Sequence, residues 1–461
     1  MHTEKHESVR QRRSKGKAAR KNVPRSKQGE WAIKDNGRDP VELIEQQNQD
    51  RLPWLVPVRA ARMSASPFAY YRGTARVMAA DLATTPVSGI TVQLCGDAHI
   101  GNFGLYASPE RQLVFDINDF DETLPGPWEW DIKRLATSFT IAARHNDLKK
   151  REMNKVAKRV TKAYREAMIA FAAMRNTEIW YALLDESEFI EAADKVGRKK
   201  QARQVINKAK SKDSRQALDK LAEEQDGQYR IRSDPPWLVP MRELLATHHK
   251  SGSDLQQLAE HEFAAYRTSL PDSSKRLLGH YRNIDVALKV VGVGSVGTRC
   301  LIMLLEGRDR NDPLFLQLKE AKPSVLAEYL APGPYENQGQ RVVEGQRLLQ
   351  TVSDSFLGWT RGTKTGTDYY WRQLRDWKGS VDVENLKLPD LEYLADLCGW
   401  TLARAHARSG DPVAIAGYLG ASDAFDEAMA GFAASYADQN ERDYARFIDE
   451  INSGRLAVQF D

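Results

Sequence analysis

Cysteine is scarce: Cys95, Cys300 and Cys398 are the only three in 461 residues, far apart and set in apolar stretches. That excludes a disulfide framework and suits reduced core thiols in a reducing compartment. Long hydrophobic runs are missing too. No segment approaches the roughly 18 to 20 apolar residues of a membrane span, and the N-terminus has no apolar signal core. A cytoplasmic protein with no membrane partner is the expectation. Charge of one sign is also lacking, with a net of +4. Met1 to Gly29 hold ten Lys or Arg against Glu4 and Glu7, so this tail carries +8 and the remainder −4. The basic balance therefore belongs to the tail. From Arg10 to Lys27 it has no aromatics and no apolar periodicity, so residues 1–35 are expected to be disordered. They read as a solubilising arm, with weak contact to nucleic acid as the alternative.

What is present, 41% hydrophobic and 28% charged residues, suffices for a large core without metals or disulfides. A helix is expected from about Ala69 to Leu82, and strands from Gly89 to Cys95 and Gln112 to Ile117 with a polar, glycine-rich loop between them. Trp128 to about Asp226 reads as almost wholly helical. Near Asn283 the character changes. Asp285 to Val291, Thr298 to Leu305 and Leu314 to Lys319 form apolar runs between glycine-rich or charged turns, which describes a small antiparallel sheet. A helix from Arg341 to Thr351, strands at Ser355 to Thr360 and Asp368 to Leu374, and helices from Leu391 onward complete the map. The string Pro53-Trp54-Leu55-Val56-Pro57 returns as Pro236-Trp237-Leu238-Val239-Pro240, a single echo and not a repeat architecture.

Gly96-Asp97-Ala98-His99-Ile100-Gly101-Asn102 sets a carboxylate and a carboxamide five positions apart in a loop after a strand. At that spacing one can address a substrate hydroxyl and the other a metal. Downstream, Asp116, Asp119, Asp121 and Glu122 cluster at a strand end, where oxygen ligands could hold Mg²⁺. Either motif alone reads as turn caps or a solvated hairpin end. Together, with Gly96, Gly101 and Gly104 keeping the loop slim, they read as one site, with Asp97 and Asn102 catalytic and Asn102, Asp119, Asp121 and the rival Asp116 as metal ligands.

Gly292-Val293-Gly294-Ser295-Val296-Gly297 fits G-x-G-x-x-G, a weak signal by itself. Its context is a strand on the C-terminal side, not the helix of a dinucleotide fold, so Gly292, Gly294, Ser295 and Gly297 read as a hairpin covering phosphates. Lys319 then interrupts an apolar strand. It reads as a phosphate-binding lysine in need of an acidic partner, or as an edge lysine reaching solvent. Glu344 is the candidate partner and Glu328 the rival. Arg72 reads as a helix salt bridge, with contact to an anionic group as the alternative, and His406 as a packed helix residue.

The Gly-Asp-Ala-His-Ile-Gly-Asn loop followed by Asp119-Phe120-Asp121 resembles aminoglycoside phosphotransferases and related small-molecule kinases, whose loop is His-Gly-Asp-x-x-x-x-Asn. Cys95 stands in place of the preceding histidine, and the interval to Asp119 is longer. Asp119 is preferred to Asp116 because its distance to Asp131 matches that family's interval to a following buried aspartate. In those kinases the glycine loop and lysine come first, and a Leu-Ala-Arg-x-His helix precedes the catalytic loop. Here that helix is Leu402-Ala403-Arg404-Ala405-His406, near the C-terminus. The resemblance implies an α+β, protein-kinase-like two-lobe fold in circularly permuted order, with a large helical lobe and a small antiparallel β lobe. Its parts would be 36–285, the catalytic-loop half and helical lobe; 286–385, the nucleotide-binding β lobe; and 386–461, C-terminal helices packing on the helical lobe. Arg62-Met63, Ser66-Pro67-Phe68, Gly96 to His99, Asn102-Phe103-Gly104, Asp119 to Glu122, Gly126-Pro127, Tyr436 to Gln439 and Asp443 are strings by which nearly the whole chain also resembles the bacterial family Domain of Unknown Function 2252.

The expected function is Mg-ATP-dependent phosphoryl transfer to an unidentified hydroxyl, small-molecule or protein. AMP transfer and a non-catalytic nucleotide-binding scaffold are the alternatives. A metallophosphoesterase built on Asp97-Ala98-His99 is disfavoured, because Phe103 follows Gly101-Asn102 where such sites need further histidines.

Overall fold

Apolar runs alternating with glycine-rich or charged turns fold after residue 282 as an antiparallel meander. The computed structural model describes residues 7–32, 38–246, 252–363, 365–374, 376–380 and 382–460. Strands Arg282–Lys289, Cys300–Glu306 and Pro313–Glu320 pair in succession. Asp368–Gln373 and Gly358–Arg361 extend one edge and Leu238–Pro240 the other, giving a 6-stranded sheet. Side chains alternate across it. Leu314, Leu316 and Leu318 pack on one face with Tyr266 and Trp371, whose rings stack at 4.4 Å. Gln317 and Lys319 point the other way, into a cleft. The sheet is the expected one, with one addition: the second Pro-Trp-Leu-Val-Pro string forms its edge strand, whereas the first forms a 3-10 turn and then the helix Val56–Ser64.

The helices Trp128–His145, Lys150–Phe171, Leu388–Ser409 and Ala424–Asn452 enclose the main core. The first of these buries Glu129, Asp131, Lys133 and Arg134 together with Trp128 and Trp130. Buried charges need partners, and two of these side chains find theirs in the loop after strand Thr91–Leu94. Among the described residues no helix is long and apolar enough to cross a membrane.

Several local expectations need correction. The basic stretch expected to be disordered is helical over Val9–Asn22, capped reciprocally by Ser8 and Gln11. Its Arg12 pairs with Asp411. Arg20 and Arg25 donate to the carbonyls of Gly417, Tyr418 and Leu419 at the end of helix Pro412–Leu419. Cations at a helix C-terminus are favourable, an interaction that composition does not reveal. Residues 1–6 and 33–35 of that stretch lie outside the described residues. The loop expected before Gln112 contains strand Phe103–Ala107, paired with Leu113–Ile117, while Thr91–Leu94 pairs with Leu124–Pro127. The segment read as helical to Asp226 ends in a hairpin, Ala222–Gln225 with Gln228–Ile231, turning at left-handed Asp226 and Gly227, an Asp-Gly signal for such turns. The helix expected over 69–82 is two, Pro67–Gly73 and Ala75–Leu82. Arg59 takes the Gly73 carbonyl and Thr74 the Tyr71 carbonyl, which ends the first.

Gly16 is where the N-terminal helix meets its neighbour, since a β-carbon there would lie 1.9 Å from the Ala414 carbonyl oxygen. Helix propensity alone favours Gly16→Ala by about 1 kcal/mol. The contact reverses the sign, and a loss of about 1–3 kcal/mol is expected in urea unfolding. A stability gain would show the helix undocked.

Candidate functional site

Strand Thr91–Leu94 delivers the chain to Gly96, which is left-handed at φ 86° and so close to the Glu122 carbonyl that a β-carbon would lie 2.2 Å away. Only glycine fits. The Asp131 carboxylate accepts the backbone N–H groups of Cys95 at 2.8 Å and Gly96 at 3.1 Å. His406 Nε2 lies 3.2 Å from the same carboxylate, and its Nδ1 lies 2.8 Å from the Tyr164 hydroxyl. His406 is thus the packed helix residue expected. Asp97 Oδ1 accepts Arg134 Nε at 2.5 Å, and that guanidinium also donates to the Tyr71 carbonyl. Asp97 Oδ2 is 3.7 Å from His99 Nε2. Burial pushes His99 down to about 4, so it is neutral at neutral pH. Asn102 Nδ2 donates to the Asp97 backbone carbonyl at 2.8 Å, leaving its amide oxygen for other use.

The four downstream acids separate by environment. Asp116, a proposed metal ligand, is buried away from the cleft; it accepts Arg404 at 2.5 Å and the N–H groups of Ile117 and Thr351. Every oxygen is committed to the core. Asp119 and Asp121 face the cleft, with Oδ2 atoms 3.4 and 3.2 Å from Lys319 Nζ. Tyr370 donates to the other Asp121 oxygen at 2.5 Å. Burial alone would raise Asp119, but Lys319, then Arg372 and Lys378, outweigh it and hold the carboxyl below its ordinary range. Burial likewise opposes the Lys319 ammonium, and Asp119 and Asp121 keep it well above its ordinary value. The pair is ionised. Glu122 caps the Val325 N–H at 2.7 Å, and burial pushes it up to about 7.

Neither expected glutamate reaches Lys319. Glu344 pairs with Arg347 and Glu328 with Arg76, each at 2.8 Å. Helix Gln338–Leu349 presses its Arg341 and Gly345 face, one turn apart, on the acidic segment. Arg341 donates to the Thr123, Asp121 and Lys322 carbonyls, and a β-carbon at Gly345 would lie 2.4 Å from Thr123. Glu344, one position off that face, turns elsewhere.

The glycine string joins strands Arg282–Lys289 and Cys300–Glu306 as a hairpin, with Gly292 and Gly297 left-handed at φ 65° and 91°. Ser295 Oγ lies 3.5 Å from Asp121 Oδ2. Gly292, Gly294 and Ser295 line the cleft, together with Asp97, Asn102, Asp119, Asp121 and Lys319, around a cavity of about 1410 Å³. Gly297 does not; it packs on Arg51, which donates to the Val296 carbonyl. Among the cleft cations that escaped sequence reading are Arg372 and Lys378, which act on Asp119. Arg372 lies opposite Gln317 across the strands and donates to its side chain at 3.0 Å. The alternation Tyr370, Arg372 on strand Asp368–Gln373 was the available signal.

Among the described residues no group of three or more His, Cys, Asp or Glu could hold a metal ion. Asp119, Asp121 and the Asn102 amide oxygen line this cleft and could supply part of the oxygen set that Mg²⁺ takes. The two aspartates once rivals for this role differ in what removal does. Asp116→Ala strands Arg404 in the core, and a loss of about 3–5 kcal/mol is expected in denaturant unfolding. Asp119→Ala leaves Lys319 paired with Asp121 and is expected to lose less than about half of that. Equal losses would contradict this division.

No curated protein and no solved structure matched the chain. A family model matched residues 51–450, a span that holds the Gly96–Asn102 loop, the acidic segment, the glycine hairpin and Lys319. The chain belongs to the DUF2252 family, described as uncharacterized proteins conserved in bacteria.

Proposed function

We propose that this protein is a Mg-ATP-dependent phosphotransferase acting on a hydroxyl-bearing acceptor, with protein-kinase-like parts in circularly permuted order. One observation carries the reading: residues from two distant stretches, 97–121 and 292–319, line one cleft, with Lys319 on Asp119 and Asp121. A solvated turn or an edge lysine would not bury an ammonium between two carboxylates.

In this reading the glycine hairpin offers backbone N–H groups to the phosphates, and nothing crowds Gly292 within 4 Å of its β-carbon position. Lys319 exchanges its carboxylate contacts for the α- and β-phosphates. Asn102, Asp119 and Asp121 would hold magnesium, which would supply charge neutralisation for the phosphates. Asp97 Oδ2, the oxygen not bonded to Arg134, takes the acceptor hydroxyl proton as the acceptor's own oxygen bonds to the γ-phosphorus. The bond from the γ-phosphorus to the β–γ bridging oxygen breaks and ADP leaves. Arg134 and Asp131 hold the loop so that Asp97 is positioned before substrate arrives.

Calorimetric titration with Mg-ATP tests the assignment. Lys319→Ala and Asp119→Ala are each expected to weaken binding about tenfold or more. Asp97→Asn is expected to bind within a few-fold of wild type and to lose about a hundredfold or more of acceptor-dependent ADP release. Wild-type affinity in Lys319→Ala would contradict the reading. AMP in place of phosphate on the product would move it to nucleotidyl transfer in the same cleft.

A further inference from the structure

The arginines around the cleft are nearly all committed: Arg51, Arg76, Arg134, Arg299 and Arg372 each hold a carbonyl, amide or carboxylate oxygen. Arg72 does not. Among the described residues it makes no hydrogen bond and no ion pair, and its Nε is buried without an acceptor. The helix salt bridge expected from sequence is absent. Yet the side chain lines the cleft, at the last turn of helix Pro67–Gly73.

Its position is specific. The Arg72 carbonyl oxygen lies 3.3 Å from where a β-carbon on Gly294 would be, and its Nε lies 3.5 Å from the corresponding point on Gly101. Arg72 therefore sits between the glycine hairpin and the catalytic loop. Burial opposes its charge and Asp97 favours it, but Asp97 already has Arg134 on one oxygen. A guanidinium cannot shed its proton, so a half-buried one whose Nε is buried without an acceptor carries a desolvation cost that an anion in the cleft would offset. Neutral His99 next to it cannot supply that charge.

We propose that Arg72 binds the phosphoryl group in transit, contacting the γ-phosphoryl oxygens as the group leaves ADP for the acceptor hydroxyl. The inference rests on the phosphotransferase reading above. Charge in that transition state spreads over three equatorial oxygens, and the planar donor fork of an arginine matches two of them at once. Arg72 is thus a catalytic residue, distinct from the ground-state phosphate contacts of Lys319.

The test is calorimetric titration of the full chain with Mg-ADP, alone and with fluoroaluminate as a planar phosphoryl mimic. Wild type is expected to bind the mimic complex about a hundredfold or more tighter than Mg-ADP. Arg72→Gln is expected to keep Mg-ADP affinity within about threefold while losing about tenfold or more of the added tightening. Arg72→Lys, which keeps the charge but not the fork, is expected to fall between. Unchanged tightening in Arg72→Gln, or none in wild type that binds Mg-ADP, would overturn the assignment to Arg72 alone. No Mg-ADP binding by wild type would overturn the phosphotransferase reading with it.

Discussion

The Lys319 ammonium, buried between Asp119 and Asp121, joins two parts of the chain that lie 200 residues apart. Taking the ammonium wholly and the two carboxylates partly out of water carries a cost that their mutual contact must return. Two carboxylates against one ammonium also leave a residual negative charge, the condition for admitting a divalent cation. Arg372, on the strand paired with that of Lys319, and Lys378 add positive charge near Asp119. The cleft is therefore closely balanced in charge, and a metal bound to an anionic ligand could enter without stranding either sign.

Burial sorts the acids around this pair. Asp116 and Asp119 are three residues apart, but Asp116 points into the core onto Arg404 while Asp119 faces the cleft. Helix Trp128–His145 performs the matching task for the Gly96–Asn102 loop. Its Asp131 fixes the backbone of Cys95 and Gly96, and its Arg134 fixes the side chain of Asp97. Charges inside a helix with almost no solvent-facing side would be an unfavourable use of sequence for stability alone. Here Asp131 and Arg134 each orient a specific group of the loop.

The α+β class and the antiparallel sheet were legible from spacing along single strands, loops and hairpins, whereas the meeting of Asp97, Asn102, Asp119 and Asp121 with Gly292, Gly294, Ser295 and Lys319 in one cleft was expected only through the resemblance to kinases. What was not legible depends on partners distant in sequence. Glu344 was chosen by helix position, and a shift of one residue put it on the wrong face. Asp116 was separable from Asp119 only through Arg404, 288 residues away. The N-terminal helix has no apolar stripe to announce it and is held instead by arginine contacts to another helix's carbonyls. Arg72 looked like a helix salt bridge because exposed helix arginines commonly find one; its isolation appears only once the cleft is assembled.

The central claim is that the two distant stretches form one metal-nucleotide site, and thermal unfolding of the wild-type protein tests it most directly. With Mg-ATP at millimolar concentration the midpoint should rise and keep rising with the logarithm of ligand concentration. With ATP and a chelator the rise should be smaller, since Asp119 and Asp121 then repel the phosphates. A midpoint indifferent to Mg-ATP would contradict the account and leave the buried lysine as a structural ion pair.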